Sequence, residues 1–213
     1  MQKLNILNYP IYSFNCDQTL VDEVLADVKE KKFHPIKDEG SNLLMSPNYY
    51  HENLFCFFDK CVDEIKRKYF KESLMFTITD CWVNKYTMMQ VIRNHTHSNS
   101  FISGLFYLTN HEKSGATCFS VPDPWTESTH NEYQNITVHN TQQYIRSDVY
   151  PTAGTLLLFP SQVYHHTKTV NSPDQVRYTI SFNCFPSGLI SAYKSGQLHL
   201  QVLSVKDRIK LGK

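Results

Sequence analysis

Apolar positions change period about a third of the way along the chain. Leu20, Val21, Val24, Leu25 and Val28 recur at the three- and four-residue spacing of one helix face. Thr19 and Asp22 suit a capping box at its start. The lysines at 29, 31 and 32 fall where a helix dipole favours cations. A second stripe runs through Leu54, Phe57, Phe58, Cys61 and Ile65. Ser46-Pro47 offers it a cap and a first-turn proline, and Lys66, Arg67 and Lys68 close it. Residues 1–75 are therefore predicted to be a helical third.

From Phe76 the period shortens toward two. Segments 76–86, 87–93, 101–108, 116–121, 135–139, 155–160, 164–170 and 176–183 are short and rich in β-branched or aromatic residues. Clusters of Gly, Pro, Asn, Asp and Ser separate them. Eight such strands after two helices predict a mostly-β fold, a jelly roll with the N-terminal helices packed on one sheet. The jelly-roll core is expected over 76–185 and a tail over 186–213, all within a single domain of residues 1–213. In the tail, 198–205 offers an edge strand and 206–213 a frayed end. The polar and aromatic stretch 123–134 has the length of a lid.

Composition narrows the function classes. Hydrophobic residues are 41% of the chain and charged residues 19%, enough core and too little charge for a disordered chain. Lys+Arg 21 against Asp+Glu 20 leaves +1, so no basic field draws nucleic acid or an anionic membrane. No apolar run has the length of a membrane span, and the first residues lack a secretion signal's apolar stretch. The six cysteines form no Cys-x-x-Cys pair and are expected to be reduced, in a cytoplasmic protein. A glycan on the sequon at Asn94 would crowd the best metal candidate, which points the same way. The oligomeric state is open, a homodimer included.

That metal candidate is His95-Thr96-His97. Residues i and i+2 of an extended segment share a face, so two imidazoles can grip one ion. Alone, the pair reads better as a polar turn among Asn94, Ser98, Asn99 and Ser100, because a lone His-x-His is common. His165, just after the apolar strand 155–160, offers a third ligand, and alternation turns His166 away. Arg177 and Thr179 lie on the next strand. A hairpin centred near Pro173 would pair His165 with Ser181 and Thr169 with Arg177. Arg177 would then lie about 13 Å along the strand from the metal, at ~3.3 Å per residue. An arginine in so apolar a strand is costly to bury without an anion. A carboxylate ligand held bidentately is therefore expected, against the alternative of a surface ion pair. Asn84 and Tyr86 share one strand face and are candidates to hydrogen-bond the same carboxylate.

The segments NHTHSNSFISGLFYL, SGATCFSVPDPW, PTAGTLLLFPSQVYHH and RYTISFN together resemble the putative 2-oxoglutarate/Fe(II) oxygenases of bacteria and bacteriophages, over roughly residues 76–185. The resemblance implies that the jelly roll is a cupin-like double-stranded β-helix, and it implies oxidation of a substrate by O2 coupled to decarboxylation of 2-oxoglutarate, with release of succinate and CO2. It implies His95 as first iron ligand, His165 as distal ligand, and Arg177 with Thr179 as the anchor of the cosubstrate's far carboxylate. Asn84-Lys85-Tyr86 matches the Asn-x-Tyr that precedes the metal motif in the nucleic-acid demethylase branch. One position departs from the wider superfamily, which reads His-x-Asp or His-x-Glu where this chain has His97. Iron held by three histidines is expected, with Asp123 the alternative source of a carboxylate. The substrate expected is a peptidyl side chain such as proline, or a small metabolite, and not nucleic acid. Two rival readings are a cupin-like three-histidine dioxygenase that does not use 2-oxoglutarate and a non-catalytic β-sandwich binding module.

Overall fold

Short segments of alternating burial build two antiparallel sheets. The computed structural model describes every residue except 1, 7–8, 37–40, 89, 110–114, 123–143, 151, 169–174, 191–197 and 213. In chain order the strands are β1 (Gln2–Ile6), β2 (Tyr9–Asn15), β3 (His34–Pro35), β4 (Leu44–Pro47), β5 (Leu74–Tyr86), β6 (Ile92–His95) and β7 (Ile102–Tyr107). Then follow β8 (Thr117–Pro122), β9 (Tyr144–Val149), β10 (Thr155–Pro160), β11 (Tyr164–Thr167), β12 (Arg177–Ile190) and β13 (Leu198–Leu200). The helices are α1 (Gln18–Lys29), α2 (Glu52–Tyr69) and α3 (Val205–Lys210).

The larger sheet runs β1-β2-β10-β7-β12-β5-β4-β3, with β13 added beside β12, and the smaller runs β6-β11-β8-β9. The strands β10-β7-β12-β5 facing β6-β11-β8-β9 form the double-stranded β-helix expected. Alternation along β12 serves both sides of the larger sheet. Tyr178, Ile180, Phe182 and Cys184 enter a core with Val21, Val24 and Val28 of α1 and Leu54, Phe58 and Ile65 of α2. Phe58 stacks on Phe182 with ring centroids 4.4 Å apart. Arg177, Thr179, Ser181 and Asn183 take the other face, toward the smaller sheet. Leu105, Tyr107, Leu157 and Phe159 meet Phe119 between the sheets. Among the described residues no helix is long and apolar enough to cross a membrane, and none of the six cysteines is paired.

The first third is not purely helical, because residues before and between the helices are recruited as strands. Ile11, Tyr12 and Phe14 of β2 are buried, and Tyr12–Asn15 pair with β10, which widens the sheet beyond the jelly roll. Ser46-Pro47 ends β4, and α2 starts at Glu52 behind His51, with no side-chain cap. Asp17, not Thr19, caps α1, accepting from the Thr19 N–H at 2.8 Å. Of the predicted strand 87–93 only the end enters β6. The edge strand β9 carries no apolar alternation to mark it, because Arg146, Ser147 and Asp148 interrupt it and Ile145, Arg146 and Asp148 are exposed. The tail ends in α3, where a frayed end was expected. Ser204 caps α3, Val205 is buried, and Lys206 and Arg208 pair with Glu52 and Asp80 at 2.8 and 2.7 Å. Predicted strand 135–139 and the stretch 123–134 lie outside the described residues.

Gly104 on β7 has no room for a side chain. A Cβ there would sit 2.2 Å from the Phe182 ring, which is held by its stack on Phe58. Gly104→Ala must displace that ring, and overpacking of this kind costs about 1–3 kcal/mol. Thermal unfolding should show a Tm several degrees below the parent. An unchanged Tm would mean that the ring yields freely.

Candidate metal centre

β6 and β11 pair with His95 opposite His165. The chain leaving β6 is pinned by the His97 N–H, which donates to Ser161 O at 3.0 Å. These two local facts bring three imidazoles together. One ring nitrogen from each of His95, His97 and His165 lies within 4.8 Å of the others. The Nε2 atoms of His97 and His165 are 3.3 Å apart. The i, i+2 pair of the sequence does share one face, and His166, opposite Cys118 on β11, is not in the cluster. Trp82 lies against His97 and Phe159 against His165, with centroids 5.8 and 4.9 Å apart.

The protons on two of these rings are fixed by carbonyls, which only accept. His95 Nδ1 donates to Arg93 O at 2.8 Å and His165 Nδ1 to Val163 O at 2.9 Å. Each therefore presents its Nε2 lone pair to the cluster. Burial, reinforced by the charge of His95, lowers the His97 pKa to about 4 and holds that of His165 well below the usual range. Both rings are neutral near pH 7. Lone pairs this close repel unless a proton or cation lies between them. A set of three converging imidazoles, two of them with outer hydrogen bonds fixed by carbonyls, fits a divalent transition metal. Among the described residues the cluster contains no carboxylate. Asp123 lies outside the described residues.

On the inner face of β12 lies Arg177, 1% exposed. Its guanidinium donates to Gly115 O and to Thr117 Oγ1. It lies over the rings of Tyr86 and Tyr107, 5.2 and 5.0 Å from their centroids. Among the described residues its Nε has no hydrogen-bond partner, and no carboxylate pairs with it. Register explains its neighbours: on β5, Tyr86 is opposite Arg177 and Asn84 opposite Thr179. Asn84 Nδ2 donates to Thr179 Oγ1 and Ser181 Oγ at 3.3 and 2.9 Å, while its buried Oδ1 has no partner among the described residues. The Tyr86 hydroxyl accepts from Thr167 at 3.3 Å. The three histidines, Asn84, Tyr86 and Thr117 line one cavity between the sheets. A buried, unneutralised arginine beside it fits a small anionic ligand such as a dicarboxylate.

The expected β11–β12 hairpin is not formed. β11 pairs with β6 and β8, and β12 with β5 and β7. The chain crosses from one sheet to the other, through residues outside the described set. Arg177 and His165 thus face each other across the sandwich, and the 13 Å estimate along one strand does not apply. Sequence reasoning also missed Tyr107, Thr117 and Asn183. Their signal was polar atoms inside apolar strands, which single-strand patterning cannot assign to a face shared with another strand.

His166→Ala should leave metal binding close to that of the parent, because this ring is outside the cluster. A metal titration checks it, and loss of binding would show that the strand presents the opposite face.

Comparison with known proteins bears on this cavity directly. Residues 80–183 match the family model described as putative 2OG-Fe(II) oxygenase. No curated protein matches the chain. A prolyl-4-hydroxylase from Pseudomonas putida superposes with a TM-score of 0.59 at 15% identity, covering 84% of this chain and 95% of that one. HygX from Streptomyces hygroscopicus, solved with nickel and 2-oxoglutarate bound, gives 0.58 at 12%, covering 92% and 94%. A viral collagen prolyl hydroxylase from Paramecium Bursaria Chlorella virus-1 gives 0.53 at 12%, covering 82% and 94%. At these identities the likenesses show the fold. The family match spans every polar group just described, from Asn84 through the histidines to Arg177 and Thr179. Over residues 80–183 the chain therefore matches the model of the putative 2OG-Fe(II) oxygenases, a family of oxidoreductases.

Proposed function

We propose that this protein is an Fe(II)- and 2-oxoglutarate-dependent dioxygenase that hydroxylates its substrate and releases succinate and CO2, working as a single domain over residues 1–213. His95, His97 and His165 hold the iron. Arg177 anchors the far carboxylate of 2-oxoglutarate, with Thr179, Asn84 and Tyr86 shaping the same wall. The observation that carries the reading is one cavity lined by three converging imidazoles, with a buried, unneutralised arginine packed against its Tyr86 and Thr117 wall.

The iron and cosubstrate, when bound, supply oxidation of a C–H bond by O2, one oxygen going to the substrate and one to succinate. The protein's own part is binding, orientation and exclusion of water. The Arg93 and Val163 carbonyls aim two imidazoles. Tyr86 and Tyr107 keep the guanidinium in a dry aromatic slot, where a charge-assisted bond to carboxylate is strong. Phe159 and Trp82 pack the rings from the sides.

The substrate class we favour is a peptidyl side chain such as proline, with a small metabolite next. The fold shared with prolyl hydroxylases supports it, and the net charge of +1 weighs against nucleic acid. Near-neutral charge, six free cysteines and no spanning helix among the described residues support a cytoplasmic location. A cupin-like enzyme that ignores 2-oxoglutarate is the second reading, favoured by one observation, the absence of a carboxylate from the described cluster. A turnover screen with Fe(II), O2, peptides and metabolites separates the two. Succinate formed from 2-oxoglutarate, slowly even without substrate, supports the proposal. Metal binding with no consumption of 2-oxoglutarate supports the second reading.

A further inference from the structure

Behind His97 lies a row of buried polar side chains that the proposed reaction does not use. Ser100 and Ser103 are 2% exposed, Ser161 0% and Asn183 9%. Ser100 Oγ is 3.1 Å from Ile102 O and 3.2 Å from Cys184 O, which only accept. Ser161 Oγ is 2.7 Å from Ser100 Oγ, and Ser103 Oγ 2.9 Å from Ser161 Oγ. Ser103 Oγ is 2.9 Å from the Asn183 amide, whose other atom lies 3.1 Å from His97 Nδ1.

We infer that the chain Ser100–Ser161–Ser103–Asn183 is a positioning device that sets which ring nitrogen of His97 carries the proton, and so frees Nε2 for the metal. The inference rests on the three-histidine reading above. In the structure Asn183 turns Oδ1 to Ser103 and Nδ2 to His97. His97 Nδ1 then accepts, and its Nε2–H donates to His165 Nε2 at 3.3 Å. In that arrangement three hydroxyl protons must serve four contacts, namely Ser100 to carbonyl, Ser161–Ser100, Ser103–Ser161 and Ser103–Asn183. One contact is left without a proton.

A half-turn of the Asn183 amide exchanges its two nearly isosteric ends. Nδ2 then donates to Ser103, Ser103 to Ser161, Ser161 to Ser100, and Ser100 to a main-chain carbonyl. Every contact in the chain has its proton. Asn183 Oδ1 accepts from His97 Nδ1–H, and Nε2 becomes a lone pair beside that of His165. The turn loses the His97–His165 hydrogen bond and gains the missing bond in the serine chain, so the total is unchanged. The cation that replaces the lost proton between the rings completes the site. The metal-free and metal-loaded arrangements are thus two polarities of one buried chain.

Zinc alone, a redox-silent probe for a three-imidazole site, tests this without turnover. Long-range ¹H–¹⁵N spectra of the full chain should show His97 protonated at Nε2 without zinc and at Nδ1 with it. Asn183→Leu removes the acceptor and should weaken zinc binding about ten- to hundredfold, as loss of an outer hydrogen bond to a metal histidine does. Asn183→Asp, which can only accept, should restore parental affinity or better, a rescue that a merely packing role would not give. The inference is overturned if zinc-loaded parent keeps His97 Nε2–H, or if folded Asn183→Leu binds zinc as tightly as the parent. A parent that binds no zinc would overturn the three-histidine reading, and this inference with it.

Discussion

His165→Ala should abolish stoichiometric Fe(II) binding and all turnover that depends on it. This ring is 7% exposed, its Nδ1–H is committed to Val163 O at 2.9 Å, and its Nε2 faces His97 at 3.3 Å. No other described side chain is placed to substitute for it. With His95 and His97 alone, a two-imidazole remnant keeps little affinity, and metal analysis after gel filtration should find the variant near zero. His97→Ala should also lower iron affinity and turnover, and His97→Asp should recover part of both, because a carboxylate suits Fe(II) and is only shorter. Iron retained at parental stoichiometry in His97→Ala would move suspicion to a carboxylate such as Asp123.

Arg177→Ala should weaken 2-oxoglutarate binding while leaving the metal site nearly intact. Losing one partner of a buried charge-assisted pair costs about 2–5 kcal/mol, and each 1.4 kcal/mol is tenfold, so the loss expected is roughly 30-fold to above 1,000-fold. Arg177→Lys keeps the charge but not the planar fork that meets a carboxylate bidentately, and should fall between. Calorimetric titration with 2-oxoglutarate in the presence of zinc measures all three. Unchanged affinity would make Arg177 a structural residue held by Gly115, Thr117 and the two tyrosines.

What could be read in the sequence follows from which interactions are local. The stripes of α1 and α2 and the strands 76–86, 101–108, 116–121 and 176–183 carry their own periodicity, and all of them formed. His-x-His on an extended segment is also a local fact, as is the outward turn of His166. The misplaced features depend on partners far away in sequence. β2 is completed as a strand only by Leu156 and Leu158 of β10, far away in sequence, and β1 pairs in turn with β2. The β11–β12 hairpin seemed natural because a turn-rich segment joins two strands. A jelly roll sends such connections from sheet to sheet, so Arg177 meets Tyr86 and Tyr107 by register with β5 and β7. The buried chain from Ser100 to Asn183 draws on three separate stretches of sequence, and no spacing rule links them.

The central claim is that one cavity holds Fe(II) and 2-oxoglutarate together, the first on three histidines and the second on Arg177. Anaerobic addition of Fe(II) and 2-oxoglutarate to the purified protein, followed by visible absorption, tests it most directly. Chelation of iron by the keto acid should give a metal-to-ligand charge-transfer band that saturates at one equivalent of each. The band should vanish in His165→Ala and require far more 2-oxoglutarate in Arg177→Ala. Iron bound at one equivalent with no such band at any concentration of 2-oxoglutarate would contradict the account.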